Sequence, residues 1–213
     1  MNHPTFQRPI FKSRVVPVIV ISEVSQAVPM AHALLAGGID VMEITLRHRA
    51  GLAAIEAVAK QVPQMHVGAG TVTRAAEMQQ VHDAGAGFAL SPGMSDALVQ
   101  AAMDCRIPFM PGVMTPSEVM CARDHGFGLM KLFPAAQAGG LAMLKAISGP
   151  LGDVQFCPTG GVTPDNMAAF LQLSNVAMVG GSWLTPADAV AAQDWARITT
   201  LAEEALARVP ALQ

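Results

Sequence analysis

The sequence predicts an α/β protein: a single (β/α)8 barrel of the TIM type with a short N-terminal helical segment, one domain over residues 1–213. Three observations predict it. Eight short β-type runs alternate with helical stretches, at intervals of about 20 to 25 residues. Several runs are apolar on both alternating faces, as strands buried in a parallel sheet are. The chain of 213 residues is near the lower limit for such a barrel and carries no linker, low-complexity stretch or repeated sequence.

Taken in order, the first run is VVPVIVI from Val15. SQAVPMAHALLAGG follows, with Ser25 as a cap candidate, a stripe through Val28, Met30 and Leu34, and a Gly37-Gly38 stop. DVMEIT from Asp40 and MHVGAG from Met65 are the second and third runs. TRAAEMQQVHDAGA then places Thr73 before a stripe through Met78 and Val81 and ends at Gly85. GFAL from Gly87 precedes SDALVQAAMD, and IPFMPG from Ile107 precedes TPSEVMCARDHG. GLMKLF from Gly128, VQFCPTGG from Val154 and VAMVGG from Val176 complete the eight. TPDNMAAFLQL, like TPSEVMCARDHG, has Pro just after its Thr, as helix starts favour. DWARITTLAEEALARV reads as a closing amphipathic helix.

Composition narrows the function. Hydrophobic residues make up 52% and charged residues 14%, so a packed core follows. The net charge is −3 with no Lys/Arg run, which argues against nucleic-acid and membrane-surface partners. Apolar runs such as Val15 to Ile21 fall far short of the roughly 20 residues of a membrane helix. MNHPTFQRPIFKSR does not read as a secretory signal, so a cytoplasmic location is expected. Cys105, Cys121 and Cys157 form no zinc or disulfide pattern and read as three reduced core thiols. The six histidines show no ligand-like pair, and no metal site is expected.

In such a barrel, chemistry belongs at the C-terminal ends of the strands. Of four lysines, Lys12, Lys60 and Lys145 lie in the N-terminal segment or in helical stretches; Lys131 alone interrupts an apolar strand. Burial disfavours a charged amine, and a neutral amine is what attacks a ketone. The competing reading is a structural lysine bridged to a buried carboxylate. Glu43 has the same character on the second run, so the two could form either a Schiff-base lysine with a proton shuttle or an inert buried pair. Arg47, at the end of that run, could hold a carboxylate through both edges of its guanidinium, and Thr71 could add a hydroxyl. Gly160-Gly161 and Gly180-Gly181-Ser182 end the seventh and eighth units, where barrels often bind phosphate.

The segments VMEITLR, VGAGTV, SPG, PGVMTPSE, KLFPA, CPTGGV and GGSW, in this order from about Val15 onward, resemble those of 2-keto-3-deoxy-6-phosphogluconate (KDPG) aldolases, a family often also active on 4-hydroxy-2-oxoglutarate (KHG). The resemblance implies a homotrimer without metal or cofactor that acts on a phosphorylated keto acid in the Entner–Doudoroff pathway. It implies a Schiff base on Lys131 and acid/base work by Glu43. It implies that Arg47 and Thr71 hold the pyruvate carboxylate and that Pro92 and Phe133 line the pocket. It assigns phosphate to Gly160, Gly161, Gly180, Gly181 and Ser182, with Thr159 close by. Two stretches depart from the pattern: His48-Arg49 adds positive charge, and Ala136 to Gly140 lacks the acidic residue many relatives carry. Both bear on substrate preference. The rival expectations are an aldolase for the 2-keto-3-deoxy-6-phosphogalactonate epimer, a phosphate-binding barrel isomerase without a Schiff base, and a non-catalytic binding barrel.

Overall fold

Strands and helices alternate as the hydrophobic pattern requires, from β1 (Val15–Ile19) to α9 (Trp195–Ala207). The computed structural model describes residues 11–211; the expected N-terminal helical segment lies outside the described residues. After β1 come a short 3-10 turn, α1 (Ala27–Ala36), β2 (Val41–Thr45), α2 (Gly51–Gln61), β3 (His66–Gly70) and α3 (Ala75–Asp83). The middle of the chain holds β4 (Ala89–Leu90), α4 (Asp96–Cys105), β5 (Phe109–Met110), β6 (Gly112–Val113) and α5 (Pro116–Asp124). β7 (Leu129–Leu132), α6 (Gly140–Ile147), β8 (Gln155–Pro158), α7 (Met167–Leu171), β9 (Val179–Gly181) and α8 (Ala187–Ala191) lead to α9.

All eight expected runs contain strand, but the described residues form nine strands in two parallel sheets. One has six strands in the order β5-β4-β3-β2-β1-β9; the other has three, β6-β7-β8. The run from Ile107 is split because Pro111 has no N–H to offer a ladder; its carbonyl still accepts from Lys131 N–H at 2.9 Å. Isolated parallel bridges, Phe156 to Val176 and Thr159 to Gly180, connect the flank of β8 with the segment of β9. The fold is thus α/β around a curled parallel sheet. β1, β2 and β7 are buried along their whole length, which explains why their runs are apolar apart from Glu43, Thr45 and Lys131.

Helix starts follow the sequence where a hydroxyl can reach a free N–H. Ser95 accepts from Leu98 N–H at 3.3 Å, and Thr115 accepts from Glu118 N–H at 3.3 Å. Elsewhere the start shifts. Ser25 falls inside the 3-10 turn. Arg74, not Thr73, precedes α3, and Glu77 reaches back to the Thr73 and Arg74 N–H groups at 2.7 and 3.1 Å. The Thr163 stretch becomes a turn in which Asn166 Oδ1 accepts from Thr163 N–H, so α7 begins only at Met167.

Candidate active site

Two apolar strands deliver the two charges. β2 buries Glu43 between Met42 and Ile44, and β7 buries Lys131 between Met130 and Leu132. Their side chains meet: Lys131 Nζ donates to Glu43 Oε1 at 3.0 Å and lies 3.4 Å from Oε2. Only 6% of the Lys131 side chain and 1% of the Glu43 side chain are exposed. The other three lysines are exposed. A pair held this dry loses its solvation, so close contact and hydrogen bonding must offset that cost.

The surroundings are built by register. Lys131 pairs with Gly112 on one side and Cys157 on the other. Pro92, exposed in the loop after β4, packs its backbone against Gly112. Lys131 Nζ is 5.5 Å from the centre of the Phe133 ring, a cation–π distance. The ring's Cδ2 stands 3.5 Å from where a Gly160 Cβ would lie, an ordinary van der Waals contact. Cys157 is fully enclosed, and burial pushes its thiol up to about 12, against the opposing pull of Lys131 and of the Thr159 hydroxyl. It is the one cysteine of the expected three that belongs to the core; Cys105 is half-buried and Cys121 exposed, because their helices turn them outward.

Arg47 is exposed at the mouth, steered by Thr45: its Nε donates to Thr45 Oγ1 at 3.3 Å, and Thr45 donates to Ile19 O at 3.0 Å. Arg47 and Ser182 line one cavity of about 520 Å3, with Val18, Gln26, Thr185 and Val190 among the other walls. A larger cavity, about 640 Å3, sits by Arg123, Gly128, Gln155 and Asn175 at the N-terminal ends of β7 and β8, away from the pair. Neither Lys131 nor Glu43 lines either cavity.

The glycines divide by cause. Gly160 and Gly161 take φ of +91° and +82°, left-handed backbone that other residues avoid. Gly180 and Gly181 are instead packing glycines: a Cβ at Gly180 would strike the Thr159 side chain, and one at Gly181 the Trp183 ring. Their lack of side chains therefore has a structural cause independent of any anion. Thr71, half-buried just after β3, holds φ +60°, costly for a β-branched residue and of the kind found at functional sites. Two contributors are not evident from the sequence pattern. Thr45 orients Arg47, and Gly70 stands against Glu43: a Cβ there would lie 2.6 Å from Glu43 Cγ and Cδ and nearer still to Oε1. The polar alternation within VMEIT could have flagged Thr45; nothing in the sequence singles out Gly70.

Comparison with known proteins points one way. A family model described as KDPG and KHG aldolase matches residues 7–201. The 2-dehydro-3-deoxy-phosphogluconate aldolase of Pseudoalteromonas atlantica is 51% identical over 193 residues, 91% of this chain and 90% of its own. The KHG/KDPG aldolase of Escherichia coli K12 is 50% identical over 192 residues, 90% of each. A KDPG aldolase from Legionella pneumophila, solved with pyruvate captured as a covalent carbinolamine intermediate, superposes with a TM-score of 0.88 at 46% identity, covering 90% of this chain and 93% of that one.

Proposed function

The chain belongs to the KDPG and KHG aldolase family, and from that premise we infer that it is a Schiff-base aldolase cleaving 2-keto-3-deoxy-6-phosphogluconate to pyruvate and glyceraldehyde 3-phosphate, with Lys131 as its amine. The observation that carries the assignment is the buried contact of Lys131 Nζ with Glu43 Oε1 at 3.0 Å. It places an amine and a proton acceptor in reach of each other, out of water. A carbinolamine is what an amine forms with a ketone, so the pyruvate adduct of the Legionella enzyme supports the same chemistry.

Lys131 attacks the keto carbon as its neutral amine, its proton having passed to solvent. The carbinolamine hydroxyl takes a proton from solvent and leaves as water to give an iminium, with Glu43 still a carboxylate. Glu43, acting through a water, takes the C4 hydroxyl proton as the C3–C4 bond breaks. The bonding electrons flow into the iminium, the aldehyde leaves and an enamine remains. Glu43 returns the proton to C3, and water hydrolyses the iminium to pyruvate and free Lys131.

Around this core, Arg47 and Thr71 hold the pyruvate carboxylate, and Pro92 and Phe133 flank the reacting carbons. The turn at Thr159, Gly160 and Gly161 and the segment Gly180, Gly181 and Ser182 take the phosphate. Cleavage of 4-hydroxy-2-oxoglutarate to pyruvate and glyoxylate uses the same lysine. The eight-unit barrel closes through the Thr159–Gly180 bridge on one side and across Pro111 on the other. The chain works as one domain, in a cytoplasmic homotrimer; exposed Val20, Val24, Met114 and Met120 are apolar surface available for subunit contact. An assay of pyruvate release from the gluconate and galactonate epimers tests the assignment. The wild type should cleave the gluconate epimer faster and Lys131→Ala should cleave neither; normal turnover by Lys131→Ala would refute it.

A further inference from the structure

We propose that Gly70 is a positioning residue for the reaction: its missing side chain is the slot in which the Glu43 carboxylate lies against Lys131. The inference rests on the reading of Glu43 as the proton carrier. Positions 68 and 70 share one face of β3, because side chains alternate along a strand. Neither carries a side chain, and each gap is filled by a different neighbour. A Cβ at Gly68 would run into the ring of Phe88, whereas at Gly70 the three nearest atoms all belong to Glu43. Glu43 pairs in register with Gly68, not Gly70. Its side chain therefore leans along β3 toward the C-terminal end of the sheet, where Lys131 Nζ meets it.

Gly70 is not among the glycines with positive φ. Alanine is thus compatible with the backbone there, and no atom of the main chain stands in its way among those nearest. What must yield is the Glu43 side chain from Cγ outward. A methyl group at position 70 expels the carboxylate from its place beside the amine while the strand keeps its form. The residue acts through Glu43 and touches no reacting atom itself.

The test separates two steps of one reaction in the full-length protein. Borohydride trapping of pyruvate reads imine formation on Lys131. Exchange of the pyruvate methyl protons for deuterium in heavy water reads proton transfer at the enamine carbon. Gly70→Ala should keep the trapped adduct and lower both exchange and kcat by about 10²–10⁴, the range of general acid–base help. KM should change less than kcat. Glu43→Gln should show the same pattern, and the double variant should lose no more than the worse single variant, since both changes remove one function. Exchange at the wild-type rate in Gly70→Ala overturns the proposal, as does a parallel loss of trapping and exchange. Multiplied losses in the double variant overturn it too. Full exchange by Glu43→Gln would instead sink the proton-carrier reading, whatever Gly70→Ala does.

Discussion

Lys131 and Glu43 stand out in the sequence because each places a charge where its strand has none to spare. That logic works for charged residues and fails for small ones. Gly70 has no chemistry of its own, and its place against Glu43 depends on how β2 and β3 register. The pair Gly180-Gly181 shows another limit: Thr159 and Trp183 already require both to lack side chains, so the glycines alone do not single out an anion. Cys157 is legible as a buried thiol, but not as the register neighbour of Lys131. Its enclosure makes a prediction. With the thiol pushed up to about 12, Cys157 stays protonated and shielded at pH 8.5, whereas Cys121 is exposed. Iodoacetamide should label Cys121 and spare Cys157 in the native protein; equal labelling would show that the interior is open. The same shift sets a sign for stability. In the unfolded chain a thiol titrates at about 8.5. Above that pH the unfolded state releases a proton that the folded state keeps, so this contribution to stability shrinks as pH rises toward the folded value.

At the scale of elements, α5 shows how much a local sequence decides. Thr115 accepts from Glu118 N–H, and Glu118 Oε2 accepts from the N–H groups of Met114 and Thr115, both at 2.8 Å. This closes both halves of a capping box behind Pro116. Thr115→Ala should cost about 1 kcal/mol in urea unfolding. Partial burial raises the Glu118 carboxyl, but the bonds from Met114 and Thr115 outweigh it and hold the group below the usual carboxylate range. A depressed folded value means the contribution is complete at neutral pH and fades as pH falls through that value. The stability gap between wild type and Glu118→Gln should therefore close in acid; a gap that widened there would contradict the cap. Caps of this kind are legible at Ser95 and Thr115. They are not at Ser25, Thr73 and Thr163, where side chains from further along the helix or turn reach back and move the boundary. The break at Pro111 is hidden inside an apolar run, although proline in a buried strand is the physical reason for it.

At the scale of the molecule, alternation of β and α units is legible because strands are buried on both faces and helices on one. How the two sheets meet is not, because β8 and β9 are joined by single bridges such as Thr159 to Gly180 rather than by a long ladder. The arrangement brings residues 88 apart in sequence, Glu43 and Lys131, to 3.0 Å of each other. No local pattern holds that information; only the order of strands does. Every proposed step then depends on Lys131 carrying the covalent bond to pyruvate. Treating the protein with pyruvate and borohydride, digesting it and sequencing the modified peptide by mass spectrometry tests this most directly. A single reduced pyruvyl group on the peptide containing Leu129-Met130-Lys131-Leu132 is the predicted result. An unmodified Lys131, or the adduct on Lys12, Lys60 or Lys145, would contradict it.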